Sequence, residues 1–163
     1  AGTLIIANSG VDTAQIGANA VTKFQYQQKD TTTTIGTTGT SWTTTFTKDF
    51  SVTAEGDLLV KFGFTLRTSG ADPLVATSAW IKGQYKIEAD IPGLGTYTRN
   101  FDEVFMRVGD TRRFVHNIPL SQTLSRSSGT LTARVMARLN DESAGAMALQ
   151  VIDEEIELIE GKR

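Results

Sequence analysis

Across residues 57–68 the chain alternates without a break, with Leu58, Val60, Phe62, Phe64 and Leu66 on one parity. Leu59, Lys61, Gly63, Thr65 and Arg67 fill the other. Apolar residues at strict period two make a half-buried strand, because a helix would scatter them around its axis. The register is settled too, since a slip of one residue would turn the whole apolar set to solvent. Gly63 interrupts the polar face and marks a bulge or a close backbone approach.

The same rhythm recurs along the chain. Trp42, Thr44, Phe46 and Lys48 share a parity that reads as an aromatic core face. After a turn at Ser69-Gly70-Ala71-Asp72-Pro73, Ala79, Ile81, Gly83, Tyr85 and Ile87 alternate with Trp80, Lys82, Gln84, Lys86 and Glu88. Ile91-Pro92-Gly93-Leu94-Gly95 turns again, and short strands follow at 97–100 and 104–108. Val104, Met106 and Val108 fall on one side of the second. In residues 112–120, Phe114 and Ile118 bracket His116, and Leu131, Ala133, Val135, Ala137 and Leu139 line a further strand. The Thr- and Gly-rich tract 31–40 reads as an exposed edge segment or loop, because branched threonines favour extended chain.

About eight strands divided by turns, with no connection long enough for a helix, predict an all-β antiparallel sandwich. A jelly roll of two packed sheets fits best. The final segment reads two ways. Leu149, Ile152, Ile156 and Ile159 have heptad-like spacing among good helix formers. As a strand, the same segment uses Met147, Leu149 and Val151, then Ile156 and Leu158 after a register shift near Asp153-Glu154. The all-β body favours the strand.

Composition removes several function classes. At 39% hydrophobic and 21% charged residues the chain is globular in character. No apolar stretch approaches the roughly 20 residues that cross a bilayer, so no membrane insertion is expected. A net charge of −2 argues against nucleic-acid binding, which needs clustered Lys and Arg. Without cysteine there are no disulfides, thiolate metal sites or cysteine nucleophiles. The first residue is Ala1, which reads as a processed chain or an excised piece of a longer one.

Catalytic constellations are equally sparse. His116 is the only histidine, too few for a two-histidine metal site, and no Gly-x-Ser-x-Gly elbow is present. Glycoside hydrolysis needs two carboxyls facing each other across a cleft. Asp102 and Glu103 would point to opposite faces of a strand, and Asp153-Glu154-Glu155 reads as a solvated face near a kink. No enzyme, no metal and no cofactor are expected. Arg107, Arg112 and Arg113, with Tyr97 and Arg99 near in sequence, are the residues most suggestive of binding. Solvated strand edges or intersubunit ion pairs are the alternative use for them.

The first two dozen residues have a different character. Thr3-Leu4-Ile5-Ile6-Ala7 ends at the turn cluster Asn8-Ser9-Gly10, and beyond it Val11, Ile16 and Val21 are the only large aliphatics before Thr22. Apolar residues so widely spaced cannot build a private core. Burial against copies of the same segment around a three-fold axis, or against a neighbouring domain, would supply one. The chain therefore divides into a stalk, residues 1–24, and a β-sandwich head, residues 25–163, with Val11, Ile16 and Val21 as oligomerisation residues.

Val11-Asp12-Thr13-Ala14-Gln15-Ile16, followed by Ala20-Val21-Thr22, resembles a module found in phage tail fibres and in the central tail-tip host-specificity proteins of long-tailed phages. There a strand like Gly2-Thr3-Leu4-Ile5-Ile6-Ala7 often precedes it. The resemblance covers the first 22 residues. Gly56-Asp57-Leu58-Leu59-Val60 and Ala148-Leu149-Gln150-Val151-Ile152-Asp153-Glu154-Glu155-Ile156 look more loosely like the jelly-roll heads that end many trimeric fibres. It implies a homotrimeric receptor-binding head on a virion tail, adsorbing to a bacterial surface glycan, pilus or outer-membrane protein. A carbohydrate-binding sandwich module of a larger enzyme and a purely structural virion component are the rival readings. Loops on a rigid scaffold commonly carry recognition, and the end distal to the stalk should face the host. The candidates are connections 91–97 and 121–129, with Tyr97, Arg99 and Arg126 as binding residues.

Overall fold

Each strand of this protein finds its partner by a nested rule that a linear pattern cannot display. The computed structural model describes residues 22–69, 78–121, 125–143 and 147–161. In chain order the strands are β1 (Thr22–Lys29), β2 (Thr33–Ile35), β3 (Thr43–Val52), β4 (Asp57–Ser69) and β5 (Trp80–Ile91). They continue as β6 (Gly95–Asn100), β7 (Val104–Arg107), β8 (Thr111–Leu120), β9 (Gly129–Glu142) and β10 (Ala148–Gly161). One sheet has the order β1-β10-β4-β8, with β2 also on β10, and the other β3-β9-β5-β6, with β7 also on β5. Because β1 and β2 lie end to end along β10, and β6 and β7 along β5, each sheet is four positions wide. Pairing runs from the outside of the chain inward and alternates between sheets: β1/β2 with β10, β3 with β9, β4 with β8, β5 with β6/β7. That wrapping is a jelly roll. The first sheet begins at Thr22, so the boundary set after residue 24 moves back into β1. Val11, Ile16 and Val21 lie outside the described residues.

The core is the set of inward parities. Leu58, Val60, Phe62, Phe64 and Leu66 of β4 are at most 2% exposed, and Leu131, Ala133, Val135, Ala137 and Leu139 of β9 are all at 0%. Burying one such large aliphatic or aromatic side chain contributes about 1.5–3 kcal/mol. Gly63 is a close approach, as anticipated, although the neighbours are side chains: a Cβ there would collide with the Glu155 carboxylate and the Arg113 guanidinium. The closing segment is a strand, and it shifts register between Ile152 and Glu155. Asp153 sits at the shift with φ of 50°, a left-handed conformation that a short polar side chain tolerates.

Two bulges alter what alternation alone implies. In β3 the ladder to β9 skips Thr45, and one extra residue reverses the parity of everything before it. Phe46 therefore packs against the core, whereas Trp42 lies outside it, with Arg138 4.5 Å and Lys86 5.2 Å from its ring. The shift in β10 turns Glu154 inward, fully buried, so Asp153-Glu154-Glu155 is not the solvated face that was expected. Val108 also departs from its expected strand. It sits in a turn, closed by the Asp110 amide donating to the Arg107 carbonyl, and is exposed.

The two bulges meet. Lys29 Nζ lies 3.1 Å from Glu154 Oε2 and donates to the Thr45 carbonyl at 2.6 Å. The Thr45 hydroxyl contacts both Glu154 and the Val135 carbonyl, the latter at 3.1 Å. The Thr45 hydroxyl has one proton for these two acceptors, so it cannot fully satisfy the buried Glu154 carboxylate. Burial accordingly raises the Glu154 pKa, against the opposing pull of Thr45 and Lys29. A raised folded-state pKa contributes stability that is present at low pH and lost as pH rises through it. Glu154→Gln mimics the protonated acid. Its stability relative to wild type should therefore climb as pH rises above the ordinary carboxylate range, measured by urea unfolding from pH 4 to pH 8. A constant difference across that range would contradict a raised Glu154 pKa.

Strand parity also determines which connections share an end. Thr22 pairs with Gly161, and Gly161 with Asp57. The connections after β3, β5 and β8 return to this end. The Ser127 amide donates to the Pro92 carbonyl at 2.9 Å, and Arg126 reaches the turn at residues 53–56. Connection 91–97 and the described ends of 121–129 thus lie beside Thr22, not at the distal end where receptor contact was expected. The tips of β4 and β9, with the turn at residues 108–110, form the opposite end.

Candidate functional site

β6 breaks the inside-apolar rule that β4 and β9 obey. Its Tyr97 and Arg99 stand directly opposite Ala89 and Ile87 of β5, both fully buried. Directly opposed residues share a face of the sheet. Tyr97 and Arg99 therefore project toward the space between the sheets, yet both stay exposed because β6 is an edge strand. β8 is the facing edge of the other sheet. Between them runs a groove of about 290 Å³ lined by Tyr97, Thr98, Arg99, Asn117, Ile118 and Pro119. It sets the Arg99 guanidinium and the Tyr97 phenol beside the apolar Ile118 side chain.

Behind the groove the sandwich is closed by rings. Phe101 stacks on His116 at 4.0 Å and on Tyr85 at 4.6 Å, and the Arg99 guanidinium carbon is 5.2 Å from the Phe101 ring. Tyr85 Oη and His116 Nε2 are 3.1 Å apart. Burial pushes the Tyr85 phenol up to about 12 against the opposing charge of Arg99. Burial also lowers the His116 pKa, and Arg99 lowers it further. Both effects disfavour the charged form of His116, the lone histidine of the sequence, which stands as one ring of an aromatic wall.

The other sequence candidates are dispersed. Arg113 pairs with Glu155, and Arg112 lies 3.8 Å from Asp110. Arg107 is exposed on β7, where its backbone amide donates to the Asp110 carboxylate at 2.9 Å. Trp80 is half-buried, its ring 5.5 Å from that of Phe105. Arg126 is the sharpest departure. Its side chain is 1% exposed, and it donates to the carbonyls of Thr53 at 2.8 Å, Gly56 at 2.6 Å and Glu55 at 2.6 Å. Its fourth partner is the buried Glu160 at 3.2 Å. Arg126 locks the 53–56 turn onto the end of β10 and presents nothing to solvent. The clue in the sequence was Glu160, which falls on the inward parity of β10 after the bulge and so required a buried cation.

A second surface escaped notice because it is assembled from four strands. Phe24, Ile159, Leu59 and Pro119 are successive register partners across β1, β10, β4 and β8. They form an apolar row over the outer face of the first sheet, with Phe24 57% exposed. The next row, Tyr26, Glu157, Lys61 and Asn117, is polar and holds a Lys61–Glu157 ion pair at 2.5 Å.

No protein-family model and no curated protein matches this chain. Its fold is found in known virus structures. The VP2 subviral particle of infectious bursal disease virus matches with a TM-score of 0.60 at 11% identity, over 86% of this chain and 33% of that one. The Gt strain of the same virus gives 0.61 at 12% identity, over 96% and 36%. T=1 particles derived from infectious bursal virus give 0.53 at 10% identity, over 99% and 40%. At such identities the likeness is one of fold alone: a jelly-roll β-sandwich. The chain spans about a third of the length of the chains it matches.

Proposed function

We propose that this chain is a virion component whose jelly-roll head binds a ligand on the host surface, without enzymatic activity, as the receptor-binding end of a homotrimeric phage tail fibre or tail tip. The observation that carries this is the polar, exposed pair Tyr97 and Arg99 on an inward parity where the fold elsewhere places apolar residues. Departures from the packing rule concentrate at functional sites. The fold supports a place in a virus particle, since the matched structures are virus particles. The N-terminal resemblance supports the tail.

A purely structural role is the second reading, favoured by the apolar row of Phe24, Ile159, Leu59 and Pro119, which suits packing against a neighbouring subunit. The test is direct. Fluorescently labelled protein should sediment as a trimer and bind saturably to cells from a panel of bacteria. Trimers that bind no envelope, in a virus that fails to assemble once residues 22–161 are deleted, would assign the chain to particle architecture instead.

A further inference from the structure

We propose that the groove between β6 and β8 is a site for a carboxylate-bearing pyranose sugar, with Arg99 pairing the carboxylate and the Tyr97 ring lying against the sugar face. This rests on the receptor-binding reading above and specifies the class of ligand.

Charge is the first argument. Four other arginines have acidic partners: Arg113 with Glu155, Arg112 with Asp110, Arg126 with Glu160, Arg134 with Glu88. Arg67 and Arg138 instead donate to the neutral side chains of Gln150 and Gln84. Among the described residues no carboxylate pairs with Arg99, whose guanidinium lies over the Phe101 ring. A guanidinium propped on an aromatic face keeps its forked N–H edge available for two parallel bonds to a carboxylate. The groove wall supplies no second cation, so a monoanion suits it better than a phosphate dianion.

Shape gives the second. Thr98 and Asn117 also line the groove, although the register sets their side chains on the outer faces of the two sheets, opposite Glu88 and Lys61. Tyr97 and the inward Ile118 offer apolar surface for the C–H face of a ring, and about 290 Å³ falls near the lower bound for small-molecule sites, enough for one saccharide unit. The site is also prebuilt, since Arg99 and Tyr97 are held on a strand paired to β5 rather than on a loop.

Titration of the protein with glucuronate, N-acetylneuraminate, glucose and glucose 6-phosphate, followed by NMR and calorimetry, tests this. Both carboxylated sugars, or whichever one fits the groove, should perturb Tyr97, Arg99 and Asn117 saturably, and glucose should bind at least about tenfold more weakly. Arg99→Ala should lose about tenfold or more, Arg99→Lys should fall between, and Arg112→Ala should match wild type. The bound carboxylate should also raise the His116 titration midpoint, because it neutralises the charge that helps depress it; Arg99→Ala should abolish that ligand-induced rise. Equal binding of glucose and glucuronate, stronger binding of glucose 6-phosphate, or undiminished binding by Arg99→Ala would each overturn the assignment. Cell binding by wild type that persists in Arg99→Ala, with no response to either acid sugar, would overturn this inference alone. Absence of cell binding would count against the receptor reading itself.

Discussion

Arg126→Ala should destabilise the protein by about 3–5 kcal/mol at neutral pH, as expected when one partner of a buried ion pair is deleted. The guanidinium serves three backbone carbonyls of the 53–56 turn and the carboxylate of Glu160, which is itself fully buried. Without it, Glu160 keeps only the amide of Thr53 at 2.7 Å and its hydroxyl at 2.5 Å. In the wild type, burial pushes the Glu160 pKa up, but the bonds from Thr53 and Arg126 outweigh it and hold it below its ordinary value. A depressed folded-state pKa contributes stability that is present above the unfolded value and lost as pH falls through the folded one. Removing Arg126 takes away part of that pull, so the variant's deficit should shrink on acidification. Urea unfolding at pH 7 and pH 4 measures both effects. Pairing Arg126→Met with Glu160→Leu should recover much of the loss, because no charge is then left buried alone. A cost below about 1 kcal/mol, the scale of an exposed ion pair, would return Arg126 to the surface as a binding residue.

Phe64→Ala carries a comparable expected cost, about 3–5 kcal/mol for truncating a fully buried phenylalanine. The ring is 0% exposed, 5.0 Å from Tyr85 and 5.7 Å from Phe114. Its loss opens a cavity under the aromatic wall, so the Tyr85–His116 contact should loosen as well. Denaturant unfolding gives the stability change, and the His116 resonances report the wall. A loss under about 1 kcal/mol would mean that this face lies outside the core.

Much of the fold was legible. The strict alternations in β4 and β9 predicted which residues would be buried, since period two leaves one register with an apolar inside. Even the irregularity in β10 could be read, because the apolar parity changes across Asp153-Glu154. The other bulge could not. Thr45 sits in a run of threonines whose two parities are equally polar, so nothing in the pattern shows where the extra residue falls. The candidate site was half legible: Tyr97 and Arg99 were singled out by side-chain chemistry, and the pairing of β6 with β5 places them on one groove wall. Asn117 and Pro119 carried no signal of their own.

From its sequence alone this chain commits to being all-β, to the inward residues of its long strands, and to its turns. Those are local matters of side-chain alternation and backbone freedom. Which strands become neighbours, which connections share the Thr22 end, and whether Arg126 meets solvent or Glu160 depend on contacts between residues far apart in the chain. Between residues 126 and 160 the chain runs through β9 in one sheet and along β10 in the other. Only the rolled pairing of β10 against β4, and of β9 against β3, brings them into one dehydrated corner, where an unpaired charge would be costly.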